Sequence, residues 1–331
     1  MKTLLNSCIL NKTTILKNRV VVPPMASGTA DDNGRATQKT FDHYKRLTTS
    51  KAGLIMVEYT YVHPFGKSEP NQLGLYTKEH TEAVRSIAKI IKDSGSLSAI
   101  QLVHGGAKST YELTSGNLIG PSSIIIPSKV ETLEKPREAD LNDIELIIKS
   151  FVESANMAIA AGFDIIELHA AHGYGLNQWL SPITNKRSDD FGGTLKKRAR
   201  ILFNIVEQIK LNHPNILLSI RIPGEDHFDD GLSQVDMIWI SKELETKGVS
   251  LINVSSGIGG WRRPRNKTGE GYLVENARII QKEISIPVIG VGGIETSGYI
   301  NKSLNNKSLS LAAVGRAILK NPGWGPQNGL I

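Results

Sequence analysis

The segment His169-Ala170-Ala171-His172-Gly173-Tyr174 directly follows the largely apolar run Phe163-Asp164-Ile165-Ile166-Glu167-Leu168, which puts two imidazoles and a phenol just beyond a buried strand. Two N–H donors can hold a carbonyl oxygen and stabilise the enolate that forms when hydride reaches the β-carbon. A phenol beside them can then protonate the α-carbon. Two other chemistries use the same residues: a metal site, and structural histidines with satisfied hydrogen bonds. A barrel metallohydrolase would need His or Asp ligands on several strand ends, whereas the first apolar run ends only in Pro, Met and Ala. The acidic stretch Glu225-Asp226-His227-Phe228-Asp229-Asp230 has the spacing of no cation loop and reads as a solvated turn, so no metal is expected.

Further groups point to an anionic, planar partner. Arg221 interrupts the apolar run Leu217-Leu218-Ser219-Ile220-Arg221-Ile222, and a buried guanidinium is costly unless it meets an anion or acceptors. A reduced isoalloxazine, negative near N1 and O2, is one such partner; a structural pair with a strand-end carboxylate such as Glu167 is the other. Gln101 carries both donor and acceptor and suits a flavin pyrimidine edge. Gly290-Val291-Gly292-Gly293-Ile294 and Gly315-Arg316 each read as a tight turn when taken alone. Following the last two strands of a barrel, they together favour a phosphate site, with backbone N–H groups, a helix start and Arg316 facing the anion.

These residues need a scaffold that brings strand ends together. Apolar runs rich in Val, Ile and Leu occur at 19–22, 54–58, 97–102, 164–168, 217–222, 251–254, 287–291 and 311–314. Stretches with helical periodicity lie between them, at 79–93, 141–161, 194–212, 234–247 and 274–283. Alternation of this kind predicts a parallel sheet of βα units, and eight of them predict an α/β fold closed as a (β/α)8 TIM barrel. An open doubly wound sheet would carry its phosphate fingerprint after the first strand, where this chain has Pro23-Pro24-Met25-Ala26. Barrel enzymes place their chemistry at the C-terminal strand ends, and there the chain offers Tyr59, Gln101, His104, His169, Arg221 and Gly292-Gly293. Residues 105–140, with Gly, Ser and Pro clusters, are expected to be a long loop excursion after strand three that covers the barrel top. No linker or repeat marks a second unit, so residues 1–331 are read as one domain.

Composition removes several classes. Hydrophobic residues at 40% and charged residues at 21% are ordinary globular usage, and no apolar run approaches the roughly 18 residues of a membrane span. Asn6, Ser7, Asn11 and Lys12 interrupt the apolar start, which reads as mature sequence and not as a signal peptide. The single Cys8 excludes an internal disulfide or a cysteine-held iron–sulfur cluster and fits a cytoplasmic location. The net charge of +7 comes from scattered Lys and Arg with no basic block, so neither nucleic acid nor membrane is an expected partner.

The chain resembles the Old Yellow Enzyme family of flavin-dependent NAD(P)H oxidoreductases and ene-reductases over nearly its whole length. The resemblance rests on Lys17-Asn18-Arg19-Val20 leading to Pro24-Met25, on Ile100-Gln101-Leu102-Val103-His104-Gly105-Gly106, and on Gly120-Pro121-Ser122. It is most specific from His169-Ala-Ala-His172-Gly-Tyr174 through Gln178-Trp-Leu-Ser181-Pro182, Asn185-Lys-Arg187-Ser-Asp189 and Phe191-Gly192-Gly193 to Arg198. The resemblance implies non-covalent FMN contacted by Pro23, Pro24, Met25, Ala26, Tyr59, Gln101, Arg221, Gly292, Gly293, Gly315 and Arg316. It also implies that His169 and His172 hold the oxygen of an enone-type substrate and that Tyr174 donates the proton. The short single-barrel form is similar to the smaller bacterial ene-reductases. G-x-G starts at Gly257, Gly269 and Gly290 lack the glycine that completes a dinucleotide fingerprint, so NAD(P)H is expected to share the substrate pocket in ping-pong hydride transfer. An amine-dehydrogenase-like oxidation and a non-catalytic flavin- or phosphate-binding barrel are the alternatives. The chain departs from the small-enzyme pattern at Ala26, Gly28 and Lys197, where that class often has Cys, Tyr and Asn. It ends at Ile331, where relatives continue through a final helix and a tail that can reach a neighbouring subunit; a homo-oligomer is compatible with this sequence.

Overall fold

The computed structural model describes residues 2–127, 133–264 and 267–331. A short antiparallel pair, β1 (Cys8–Ile9) and β2 (Ile15–Leu16), comes first. Strands β3 (Val20–Val22), β4 (Leu54–Tyr61) and β5 (Leu97–Val103) follow, then the two-residue β6 (Ile119–Gly120) and β7 (Arg137–Glu138). The remaining strands are β8 (Ile165–His169), β9 (Leu217–Pro223), β10 (Leu251–Ser255), β11 (Val288–Gly290) and β12 (Leu311–Ala313). The eight expected runs are the eight strands of one closed parallel barrel, which runs β3-β4-β5-β8-β9-β10-β11-β12 and returns to β3.

Alternation along each strand sorts the core into two parts. Ile55, Val57, Ile100, Leu102, Ile166 and Leu168 face outward into the layer of helices. Val21, Leu54, Met56, Ala99, Ile165, Leu217, Leu251, Ile289 and Leu311 fill the barrel interior, where Cys8, Leu10 and Leu16 from the N-terminal pair join them. Above that apolar fill, inward positions turn polar. Gln101, Glu167 and Ser219 stand in register on neighbouring strands, and Glu167 accepts from Gln101 Nε2 at 2.8 Å, Ser219 Oγ at 2.8 Å and Asn253 Nδ2 at 3.0 Å. One step higher, His169 pairs in register with Arg221.

Helices α1 (Gln38–Thr48), α2 (Lys78–Asp93) and α3 (Leu141–Ala160) lie in the first half of the chain. In α3, Asp140 and Asp143 form a reciprocal capping box, and Ile144, Ile147, Phe151, Ala155 and Ala158 recur at helical spacing on the buried face. The helix expected over 194–212 is two helices, α5 (Leu195–Arg198) and α6 (Arg200–Asn212), after the short α4 (Gly175–Leu180). The break follows from Arg198, whose guanidinium donates to Leu180 O at 2.7 Å and Gly193 O at 2.5 Å and fixes α5 as a separate turn. Then come α7 (Gln234–Thr246), α8 (Val274–Gln281), α9 (Ser297–Asn305), α10 (Arg316–Lys320) and α11 (Trp324–Gln327).

Two loop expectations need correction. Residues 105–140 are not simply loop, because β6 and β7 pair in parallel within them. Arg187 ties this excursion to the body of the protein by donating to Pro121 O at 3.0 Å and Ala139 O at 2.6 Å; residues 128–132 of the excursion lie outside the described residues. The acidic stretch 225–230 is not a uniformly solvated turn. Asp226 is 2% exposed and accepts from Ser181 Oγ at 2.6 Å, Leu232 N–H at 3.0 Å and Ile258 N–H at 2.8 Å, joining the loops that follow α4, β9 and β10. Burial pushes its carboxyl above the usual carboxylate range, against the pull of those donors. Asp226→Ala leaves the donors unsatisfied and should lower the unfolding free energy by about 3 kcal/mol or more, measured by urea denaturation. A change below about 1 kcal/mol would show that these loops are held by other means.

Candidate active site

At the C-terminal mouth of the barrel lies a cavity of about 490 Å3, and every residue expected from the sequence to touch cofactor or substrate lines it. Its floor and walls are set by how individual strands end. In β4 the pairing register with β5 slips between Val57 and Thr60, a bulge that re-aims side chains at the strand end. Glu58 there is buried and accepts from Ser27 N–H at 2.9 Å, Ser27 Oγ at 2.5 Å and Tyr44 OH at 3.2 Å, which pins the loop carrying Pro23 to Ala26 against the strand. Burial raises the pKa of Glu58 and that of the Tyr59 phenol on the cavity wall. Gly28, just past that loop, holds φ +60, a backbone region that a tyrosine adopts only with strain.

Beyond β8 the chain makes a sharp left-handed turn, with φ +61 at His172 and +76 at Gly173. A β-carbon on Gly173 would stand 2.8 Å from Ile258 O, so only glycine fits. Several bonds hold the turn in this sparsely populated conformation. His172 N–H donates to Ser256 O at 3.1 Å, Gly173 N–H to Asn177 Oδ1 at 2.8 Å, and Lys108 Nζ to His172 O at 2.9 Å. The result brings three rings together: His169 lies 4.9 Å from His172 and 4.9 Å from Tyr174 between centroids, and Tyr59 lies 5.4 Å from Tyr174. Lys108 Nζ sits 4.4 Å from the centre of the Tyr174 ring.

The hydrogen-bond network fixes the proton of His169 and ties that of His172 to Ser255. Ala171 N–H donates to His169 Nδ1 at 3.3 Å, which leaves the proton of His169 on Nε2. Arg221 can only donate, and its Nη2 reaches Ser255 Oγ at 3.3 Å; Ser255 Oγ lies 2.6 Å from His172 Nε2. With Ser255 Oγ donating to Nε2, the proton of His172 lies on Nδ1; with Ser255 Oγ accepting from both Arg221 and His172, it lies on Nε2. Both rings stay neutral, because burial pushes their pKa values well below the ordinary range and the Arg221 and Lys108 charges add to the effect.

Arg221 is 7% exposed and, among the described residues, its Nε has no hydrogen-bond partner. The structural pair with Glu167 that the sequence left open does not form: Glu167 is engaged by Gln101, Ser219 and Asn253. Burial lowers the Arg221 pKa, with Glu167 opposing at longer range. At the other end of the cavity, Gly292 and Gly293 hold φ +123 and +68, and a β-carbon on Gly292 would come 2.7 Å from Leu273 N. Gly315 and Arg316 stand beside them after β12. Among the described residues no group of three His, Cys, Asp or Glu converges to hold a metal ion, and no helix is long and apolar enough to cross a membrane.

The parallel eight-stranded barrel thus carries at one mouth a glycine turn after strand seven, a buried guanidinium on strand five and two imidazoles after strand four. Residues 8–327 match the model of the NADH:flavin oxidoreductase / NADH oxidase family, and the chain belongs to that family. It is 35% identical over 325 residues to an NADPH dehydrogenase of Geobacillus sp. (strain WCH70), covering 98% of this chain and 93% of that one. It is 36% identical over 318 residues to an NADPH dehydrogenase of Clostridium acetobutylicum, covering 94% and 90%. Among solved structures, an Old Yellow Enzyme homologue from Zymomonas mobilis superposes with a TM-score of 0.84 at 21% identity, covering 99% of this chain and 92% of that one. Morphinone reductase in complex with tetrahydroNAD gives 0.83 at 21%, covering 100% and 92%. A 2-naphthoyl-CoA reductase complex gives 0.92 at 21%, but this chain spans about half (52%) of its length while 98% of this chain is covered. The protein is an oxidoreductase of the Old Yellow Enzyme family, with FMN as cofactor and NAD(P)H as co-substrate. Its residues fit FMN: the orphaned Arg221 Nε calls for an anionic acceptor, and a glycine turn that admits no β-carbon suits a phosphate.

Ser255, Lys108, Tyr272 and Arg263 contribute to the site and were not singled out from the sequence. Ser255 alone carried a signal, as the last residue of a barrel strand. Lys197, an unexplained departure in the sequence, pairs with Asp190 at 3.4 Å on the surface.

Three buried imidazoles link this site to pH. His104 accepts from Gly106 N–H at 3.0 Å, and burial pushes its pKa down to about 3. Below about 6.5 the unfolded chain protonates these histidines while the folded chain does not, so stability is full above that pH and falls on acidification. For His104 this amounts to about 2 kcal/mol between pH 8 and pH 5. His104→Asn, which keeps an acceptor, should flatten the pH dependence of the urea midpoint relative to wild type. Parallel profiles for the two proteins would mean that the native His104 titrates normally.

Proposed function

We propose that this enzyme reduces the activated C=C bond of an α,β-unsaturated carbonyl compound, with the nicotinamide donor and the acceptor taking turns in one pocket, and that residues 1–331 act as a single barrel domain. Bound FMN supplies hydride transfer from NAD(P)H to the β-carbon of the acceptor. Pro23, Pro24, Met25, Ala26, Tyr59, Gln101 and Arg221 hold the ring system, with Arg221 meeting the negative charge it lacks in the protein itself. Gly292, Gly293, Gly315 and Arg316 hold the phosphate.

The observation that carries the reading is the pair of buried imidazoles that share a cavity with Tyr174, with the N–H of His169 on Nε2 and, when Ser255 donates to Nε2, that of His172 on Nδ1. His169 Nε2–H and His172 Nδ1–H donate to the carbonyl oxygen and stabilise the enolate as charge develops there. Their neutrality matters, since an imidazolium beside Arg221 and Lys108 would be costly to bury. Tyr174, held at the start of α4, delivers its proton to the α-carbon. The name NADPH dehydrogenase, borne by the relatives from Geobacillus and Clostridium, supports the phosphorylated donor.

The purified protein should be yellow, bleach anaerobically with NADPH and regain colour when 2-cyclohexenone is added. Tyr174→Phe should slow recolouring by about 100-fold or more while bleaching by NADPH is retained. His169→Ala with His172→Ala should abolish binding of p-hydroxybenzaldehyde, measured by calorimetry, and unchanged binding would show that the pair is not the oxyanion site. A bleached wild-type enzyme that no cyclic enone reoxidises would overturn the assignment to alkene reduction.

A further inference from the structure

Two guanidinium groups converge over the glycine turn after β11, although the sequence reading placed only one there. A β-carbon built on Gly293 would lie 3.1 Å from Arg316 Nη2 and 3.4 Å from Arg263 Nη2, so both cations stand over one point of the turn. Like charges brought together repel unless an anion lies between them. Among the described residues neither guanidinium has a hydrogen-bond or ion-pair partner, and both line the cavity.

Arg263 is held there from behind. Its guanidinium packs over the Tyr272 ring at 4.6 Å from the centroid, and Tyr272 N–H donates to Gly292 O at 3.0 Å. The position of Arg263 is thereby coupled to the backbone of the glycine turn itself. Arg262, its neighbour, lies over Trp261 at 5.3 Å and does not line the cavity.

The geometry points to Arg263 as the second arm of a two-arginine clamp, with Arg316, on the 5′-phosphate of FMN. This rests on the reading of Gly292, Gly293, Gly315 and Arg316 as the phosphate site. A dianionic phosphate between two guanidinium forks takes charge-assisted hydrogen bonds from both and removes their mutual repulsion. The loop after β10 then takes part in cofactor retention as well as in shaping the pocket mouth.

The test titrates full-length protein, stripped of flavin, with FMN and with riboflavin, following flavin fluorescence. Arg263→Ala should weaken FMN binding at least tenfold and leave riboflavin binding within twofold, and raised salt should narrow the gap between wild type and variant. Arg262→Ala, which removes a neighbouring charge, should bind FMN as wild type does. Equal losses for FMN and riboflavin, or no loss for FMN, would overturn the clamp. An unchanged FMN affinity with a raised KM for NADPH but not for NADH would also overturn it and move Arg263 to the donor's 2′-phosphate. Arg316→Ala run in parallel separates the two levels: if it too leaves FMN preference over riboflavin intact, the phosphate site itself is misplaced, whereas failure of Arg263→Ala alone removes only the second arm.

Discussion

A single buried charge organises the mouth of this barrel. Arg221 lies on β9, 7% exposed, one step above the level at which Glu167 has given its oxygens to Gln101, Ser219 and Asn253. The nearby carboxylate is thus engaged, and among the described residues the guanidinium is left with one 3.3 Å bond, to Ser255. An arrangement of that kind costs stability in the protein alone and becomes favourable when an anion reaches it. The fill below, with Val21, Leu54, Ile165, Leu217 and Leu251, is apolar and offers the guanidinium no acceptor from that side. The charge of Arg221 also reaches His169 and His172 and helps to keep both neutral.

The histidine turn depends on the same region from the other side. Its left-handed backbone at His172 and Gly173 is held by Ser256, Asn177 and Lys108. Gln178, on α4, bridges Gly105 O, Gly173 O and Ala107 N–H and so joins the turn to the loop after β5. Asn185 holds Trp179 O and Phe191 O at 2.8 Å, Arg187 reaches across to the β6–β7 excursion, and Arg198 caps the end of α4. The long motif that follows His169 is therefore mostly a buttress. Few of its residues reach the cavity; they fix the backbone from which the imidazoles and the phenol project.

How much of this was legible in the sequence depended on the range of the interaction involved. The eight strands were legible because an apolar run flanked by helical periodicity is a local signal, and their order followed from the fold they imply. The strand-end residues were legible for the same reason, since the barrel gathers C-terminal strand ends at one mouth. The bulge in β4, the break at Ala199 and the β6–β7 pair were not; beside each lies a contact made across the chain, Glu58 with Ser27, Arg198 with Leu180 O and Arg187 with Ala139 O. Asp226 looked solvated because its run is acidic, and only the approach of three loops buries it. Arg263 sits in a loop whose composition says only that it is basic, and its meaning appears when Gly293 is found beneath it.

The central claim, that Arg221 is a functional charge held at a cost, is tested most directly by comparing the flavin-free stability of wild type and Arg221→Met. Methionine fills a similar volume without a charge, so the flavin-free variant should resist urea better, by about 1 kcal/mol or more, while gaining less from added FMN than wild type does. A flavin-free Arg221→Met protein that is less stable than wild type, with FMN stabilising both equally, would make Arg221 a structural residue and contradict the claim.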